Sequence, residues 1–318
     1  MKKFTFIDLF AGIGGFRIAM EAFGGECVFS SEIDKFARLT YTTNFKDIPM
    51  GDITKIVVQD IPKHDVLCAG FPCQSFSISG KQTGFDNTSG TLFFEIARIA
   101  DFLKPKVIFL ENVANLRKHN DGKSIQVMAS IIESLGYRVN YKILNASDFG
   151  VPQSRKRIYF VCFREDLDSA SFEFPNIIPE NQCYLEDILL PNTKVKKYFL
   201  NLENKTVVFK DKLENIEYKK RPIRIGIINK GGQGDRIYSP KGHAVTLSAY
   251  GGGSGAKTGA YLVEGVIRKL SPIECRRLQG FPEDYKIPVS DQQAWKQFGN
   301  SVAVPVLKAI IHQFIDYL

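Results

Sequence analysis

The stretch DVLCAGFPCQSFSISG, residues 65–80, opens on an acid, runs through Val66, Leu67, Cys68 and Ala69, and breaks at Gly70. A short apolar run closed by glycine reads as a buried strand. Phe71, Pro72, Cys73 and Gln74 follow. A proline directly before a cysteine, just past a strand end, sets that cysteine on a rigid exposed loop. In an open α/β sheet the chemistry gathers at the carboxyl ends of the strands. Cys73 therefore stands where a nucleophile would stand, whereas Cys68, inside the strand, is expected to be buried and inert. A single cysteine without context is more often a small core hydrophobe. The Pro-Cys-Gln loop, and an acid met downstream at Glu111, tip Cys73 the other way.

Upstream, residues 4–8 form a short apolar run ending in Asp8, read as a buried parallel strand. Phe10, Ala11, Gly12, Ile13, Gly14 and Gly15 follow, and then a helical pattern from Arg17 to Phe23. Strand, glycine loop and helix together are the layout of a nucleotide-type cofactor site. The spacing is not GxGxxG, because Gly15 directly follows Gly14, and a plain tight turn is the competing reading. Residues 27–31 read as a second strand, ending at Glu32. An acid there, about 20 residues past the glycine loop, is placed to bind ribose hydroxyls. Its structural alternative is an N-terminal acid for the helix expected over 34–44. Gly51, Asp52 and Ile53 form a further turn, where Asp52 is equally a turn residue on its chemistry alone.

Downstream, Ser75 to Gly90 is long and polar, which suits a mobile lid or a plain surface loop. Thr91 caps an expected helix whose Leu92, Ile96, Ile99 and Leu103 recur at helical spacing. Residues 106–110 are the next strand, followed by Glu111, Asn112 and Val113. A carboxylate partly desolvated at a strand end can donate a proton near neutrality; the alternative is a capping or salt-bridged acid. Ile125, Met128, Ile132 and Leu135 mark another helix, closed by Gly136. Residues 139–144 and 158–163 read as two more strands, paired like a hairpin at one edge. Between them, Arg155 and Arg157 alternate at a strand start, which sends both guanidinium groups to one face. Facing Cys73, they would hold an oxygen or a phosphate.

From about Leu190 the texture changes. Lysines and arginines cluster at 194–197 and 219–224, among short strand-like pieces and the glycine loops 231–234 and 251–255. A small basic β-rich domain fits. Ser271 and Pro272, with Glu274, start a capped helix. Gln297 to Val302 lead into a last helix over 304–317.

The chain has 318 residues and 44% hydrophobic content, enough for one large core and a smaller second domain. No segment reaches the roughly 18 apolar residues of a membrane span, and the start does not read as a signal peptide. Six cysteines lie far apart without CxxC pairs or a histidine cluster. This argues against a disulfide framework and a zinc site and points to a reducing cytoplasm. A net charge of +8 is compatible with a polyanion partner.

Gly70 to Gln74 resembles the nucleophile loop of the cytosine-5 DNA methyltransferases of bacterial restriction–modification systems. The resemblance recurs in at least five ordered blocks spanning nearly the whole chain, though sparsely in the middle segment. It implies an α/β fold of the S-adenosylmethionine-dependent methyltransferase type, a Rossmann-like mixed sheet with helices on both faces. A small β-rich target-recognition domain, 189–272, is inserted in a catalytic domain of 1–188 completed by 273–318. Cys73, Glu111, Arg155 and Arg157 are then catalytic. Phe10, Gly12, Ile13, Gly15, Glu32, Ile33, Asp52, Ile53, Gly70, Pro72, Leu92, Asn300 and Ser301 would hold S-adenosylmethionine. Ile33 would cover the adenine, where relatives often have an aromatic residue. Double-stranded DNA is the implied partner, with Ser79, Gln233, Arg236 and Tyr250 as contacts, and a restriction endonuclease as functional counterpart. The run Gly231 to Ser239 is similar to relatives that read GCGC. The rivals are an RNA cytosine methylase of the same family and an inactive DNA-binding relative.

Overall fold

The computed structural model describes residues 3–71, 92–176, 183–210, 213 and 215–318. Pro72, Cys73, Ser79 and the expected lid therefore lie outside the described residues. The chain forms two compact units. The first joins Met1–Leu144, Lys156–Pro175 and Leu307–Leu318.

Its strands are β1 (Phe4–Leu9), β2 (Gly25–Ser31), β3 (Val66–Gly70), β4 (Val107–Val113), β5 (Tyr137–Asn145) and β6 (Lys156–Arg164). They make one sheet in the order β2-β1-β3-β4-β6-β5. β1 to β4 run parallel, and β6 is antiparallel to β4. The carboxyl ends of four strands and the start of β6 thus share one edge. β5 and β6 are neighbours at the far side, as the sequence suggests.

The near-continuous apolar strands are explained by burial on both faces. Ile7, Leu67, Ile108, Leu110 and Phe160 form a core with Phe93 and Ile96 of α3 (Leu92–Leu103) and Met128 and Ile132 of α4 (Lys123–Ser134). On the opposite face, Phe109 meets Phe16 of α1 (Gly15–Glu21) edge-on at 5.2 Å. It meets Phe314 in the same way at 5.4 Å. α2 (Lys35–Phe45) is capped by Asp34, whose Oδ1 accepts from the N–H groups of Phe36 and Ala37.

Glu111 departs from expectation in one respect. It does not follow a strand but lies inside β4, because β4 stays paired with β6 as far as Val113 opposite Arg157.

The second unit joins Asn145–Arg155 and Asn176–Val306. Its five-stranded sheet has the order β11-β10-β9-β8-β7. The strands are β7 (Val207–Phe209), β8 (Ile223–Ile228), β9 (Arg236–Ser239), β10 (Ala260–Val263) and β11 (Val266–Arg268). Ile225, Ile228, Ile237, Ala260 and Ile267 form a modest core. α5 (Pro272–Leu278) and α6 (Asp291–Asn300) belong to this unit.

The compact units divide the chain elsewhere than at 188/189 and 272/273, and buried polar ties account for it. The Glu274 carboxylate, fully buried, pairs with Arg268 at 2.8 Å and accepts from the Leu190 N–H at 2.8 Å. Breaking such a pair would strand a charge in the interior, so the start of α5 is locked to β11 and to residue 190. The expected last helix is present as α7 (Val304–Phe314) with a closing 3-10 turn, and residues 301–303 separate it from α6. The apolar stretch from 291 to 317 is thereby cut into helices of 10 and 11 residues, each short of a span.

Candidate active site and cofactor cleft

The glycine loop leaves β1 in unusual backbone geometry. Phe10 and Gly12 both take left-handed conformations, at φ 54° and 55°. Gly14 does so at φ 80°, and a Cβ there would lie 2.2 Å from the Phe45 ring. A side chain at Gly14 would be strained by the backbone and would have to push the Phe45 ring aside. At Gly12 the surroundings are open, the nearest atom to a Cβ being the Phe10 carbonyl oxygen at 3.9 Å. A ligand can approach the backbone there.

Glu32 holds this loop in place. One carboxylate oxygen accepts from the Gly12 N–H at 2.8 Å and the other from the Asp34 N–H at 2.7 Å. Burial pushes its pKa up, against these two backbone donors. A carboxylate has about four acceptor positions, so both oxygens keep capacity for a diol. The competing role of capping α2 is taken by Asp34. Next to it Ile33 is 72% exposed, a large apolar side chain presented to solvent. An open glycine, a half-buried carboxylate with spare acceptor positions and an exposed apolar side chain suit a nucleoside-bearing cofactor.

Other expected cofactor residues divide. Asp52 caps a short turn, its Oδ1 accepting from the N–H and hydroxyl of Thr54, and these bonds lower its pKa. Ile53 is buried in the core, so its side chain is unavailable to an adenine and only its backbone is left for contact. Ile13 and Gly15 are buried at the base of the loop, and Leu92 is half-buried at the start of α3. Asn300 and Ser301 belong to the second unit.

At the same sheet edge Glu111 lies in register with Gly70 on one side and Tyr159 on the other. The chain thus leaves β3 beside the acid. Asn112 donates from Nδ2 to the Phe71 carbonyl at 2.9 Å, tying that exit to β4. Arg157 pairs with Glu111, Nε to Oε1, at 3.0 Å. Both side chains are largely buried, so the guanidinium balances a carboxylate that water reaches poorly.

Arg155 behaves differently from the expected paired use. It precedes β6, in the second unit, and is buried. Its guanidinium donates to the carbonyls of Leu247, Gly299 and Ser301. Alternation sends Arg155 and Arg157 to one face only inside a strand, and the strand starts at Lys156. Through these carbonyls Arg155 braces residues 247 and 299–301. Gln153 is a second brace, donating to Leu278 O and accepting from Leu247 N.

Asp8 was legible only as the end of an apolar run. It is fully buried, neither oxygen has a hydrogen-bond partner by ordinary geometry, and burial raises its pKa to about 8 against the pull of Arg17.

The family model for C-5 cytosine-specific DNA methylase matches residues 4–316. The chain belongs to this family. It is 52% identical over 307 residues to the type II methyltransferase M.HhaI of Haemophilus parahaemolyticus, covering 96% of this chain and 93% of that protein. It is 45% identical over 332 residues to M.HpaII of Haemophilus parainfluenzae, covering 100% and 90%. In fold it is similar to the Dnmt2 methyltransferase of S. pombe, at a TM-score of 0.74, 18% identity and 99% coverage of both chains.

In this methylase the two glycine loops of the second unit lie backbone to backbone. A Cβ on Gly234 would fall 1.6 Å from the Gly252 carbonyl oxygen. Gly255 donates to Gly234 O at 2.7 Å, and Ser254 N–H to the Asp235 carboxylate at 2.8 Å. Only glycine permits this approach. Gln233 and Tyr250 are exposed on the paired loops, Tyr250 at 81%, and Arg236 follows at the start of β9.

Proposed function

We propose that the protein methylates carbon 5 of a cytosine flipped out of a specific duplex DNA site, GCGC, using S-adenosylmethionine. In the bacterial cytoplasm it would protect that DNA from a partner restriction endonuclease. The observation that carries the reading is the Glu111–Arg157 pair in register with Gly70, where the Cys73 loop begins.

Phe10, Gly12, Ile13, Gly15, Glu32, Ile33, Asp52, the Ile53 backbone, Gly70, Pro72 and Leu92 would hold the cofactor, with Asn300 and Ser301. When bound, it supplies an electrophilic methyl group. Carbon 5 of cytosine is a poor nucleophile, so the Cys73 thiolate adds at carbon 6 and makes carbon 5 electron-rich. Glu111 donates a proton to ring nitrogen 3, which prevents negative charge from building up. Arg157 fixes Glu111 and reaches the exocyclic oxygen. Carbon 5 takes the methyl group, its proton is then lost to solvent, and the carbon 6–sulfur bond breaks to release the Cys73 thiolate as the ring nitrogen 3 proton returns to Glu111. A base inside a duplex is out of reach, so it must leave the stack, and Ser79 and Gln233 would fill the vacated space. Bisulfite sequencing of DNA from cells expressing the chain is expected to show methylated GCGC. Unmodified DNA, or transfer to tRNA instead, overturns the reading.

Two outcomes follow from single residues. Glu32→Ala should weaken S-adenosylmethionine binding by about 1–3 kcal/mol, the cost of polar ribose groups left unpaired. Calorimetry with unchanged affinity would remove Glu32 from the site. Arg236→Ala should lose discrimination at one guanine, worth about 1–3 kcal/mol, because arginine reads guanine with two hydrogen bonds. Lys219 and Lys220, exposed on the same unit, should instead act alike on all sequences, as phosphate contacts do. Binding to single-base-pair variants of the site separates the two, and a uniform loss for Arg236→Ala would end its base-reading role.

A further inference from the structure

The segment directly after the Glu111 strand carries charge that nothing described so far uses. Residues 114–122 form a broken 3-10 helix between β4 and α4. Arg117, Lys118 and Lys123 are all exposed, and among the described residues none meets a carboxylate. Elsewhere in the first unit Arg17, Arg98, Lys104, Lys106, Arg157 and Arg164 have acidic partners, whereas Lys3, Lys63 and Lys142 are exposed without one among the described residues but lie far apart in the sequence. From 114 to 123 the sole acid is Asp121, which leaves a surplus of two positive charges.

The backbone gathers these cations. Asn120, Asp121 and Gly122 are left-handed in succession, at φ 53°, 54° and 83°. That run is costly for residues with a Cβ, least so for Asn and Asp, and it doubles the chain back. A Cβ on Gly122 would lie 3.6 Å from the Arg117 carbonyl oxygen. Lys123 therefore returns beside Arg117. The turn is anchored from within by buried Leu116 and by the hydrogen bond of His119 Nδ1 with the buried Ser124 hydroxyl at 2.6 Å. The result is a fixed, basic, outward-facing turn on the sheet edge that bears Glu111. Arg117 lies only six positions after Glu111, a reach of at most about 20 Å. A duplex whose base reaches Glu111 brings its backbone phosphates into that range.

We propose that the 117–123 turn grips backbone phosphates of the DNA flanking the target cytosine, giving the catalytic unit its own sequence-independent hold on the substrate. This rests on the DNA-methylating reading of the site. The test is a variant with Arg117→Gln, Lys118→Gln and Lys123→Gln, its duplex affinity measured between 50 and 200 mM salt. Each phosphate contact adds about 0.9 to the slope of log affinity against log salt, so the slope should flatten by about 2–3. The loss should be equal for cognate and unrelated duplexes. A control neutralising Lys3, Lys63 and Lys142, exposed elsewhere on the same unit, removes equal charge and should leave the slope unchanged. Arginine at 118 and 123 with lysine at 117 should restore it. If the triple variant destabilises the fold, each single substitution should still lower the slope by about 1. A wild-type slope in the triple variant, or an equal loss in the control, overturns the grip while sparing the catalytic reading. Failure of the wild type to bind duplex DNA would instead overturn the reading beneath it.

Discussion

Cys73→Ser is expected to abolish methyl transfer while leaving DNA and S-adenosylmethionine binding intact. A thiol is a few per cent ionised at neutral pH and strongly nucleophilic, whereas a hydroxyl is neither without a dedicated base. Addition at carbon 6 must come first, so no slower route through the same chemistry is open to the variant. Binding should survive because Gly12, Glu32 and Ile33, the residues proposed to hold the cofactor, do not depend on the thiol. The wild type should also form a covalent adduct with DNA carrying 5-fluorocytosine, since fluorine blocks the final elimination. The serine variant should form none. An active variant, or a wild type that forms no adduct under turnover conditions, removes Cys73 from the reaction.

Periodicity carried most of the architecture. The strands around Phe6, Leu67 and Phe109 are apolar without alternation because helices cover both faces of their sheet. The capping box at Ser271 and Glu274 was visible as a motif and is present. What it could not reveal is that Glu274 also meets Arg268 and Leu190, contacts 6 and 84 residues away. Those ties draw α5 into the second unit, and no local pattern encodes them. Arg155 illustrates the same limit. Spacing alone does not reveal that its guanidinium bonds to three carbonyls up to 146 residues distant. The extent of β4 exceeds its apolar run for a related reason. The apolar run ends at Leu110, but pairing of Glu111 and Asn112 with Tyr159 and Ile158 keeps them in the sheet.

That pairing gives the second large effect its logic. Glu111→Gln keeps the shape of the side chain and removes its transferable proton. The single-turnover methylation rate should fall by about 10²- to 10⁴-fold, the usual contribution of a positioned acid, with binding of duplex DNA retained. Arg157→Ala acts otherwise. It leaves the Glu111 carboxylate largely buried without the cation 3.0 Å away. Removing one partner of a buried pair costs up to about 3–5 kcal/mol, less here because Arg157 keeps some contact with water. The variant should lose both stability and activity. Combining it with Glu111→Gln should restore much of the stability, since no charge is then left uncompensated, but none of the activity. Thermal unfolding of the two single variants and the double variant, read beside single-turnover rates, separates the structural from the chemical share of the pair. If Glu111→Gln slows transfer less than tenfold, the proton reaches ring nitrogen 3 from another group and Glu111 serves mainly to hold Arg157. If the double variant is no more stable than Arg157→Ala, the buried carboxylate is satisfied by something other than the arginine.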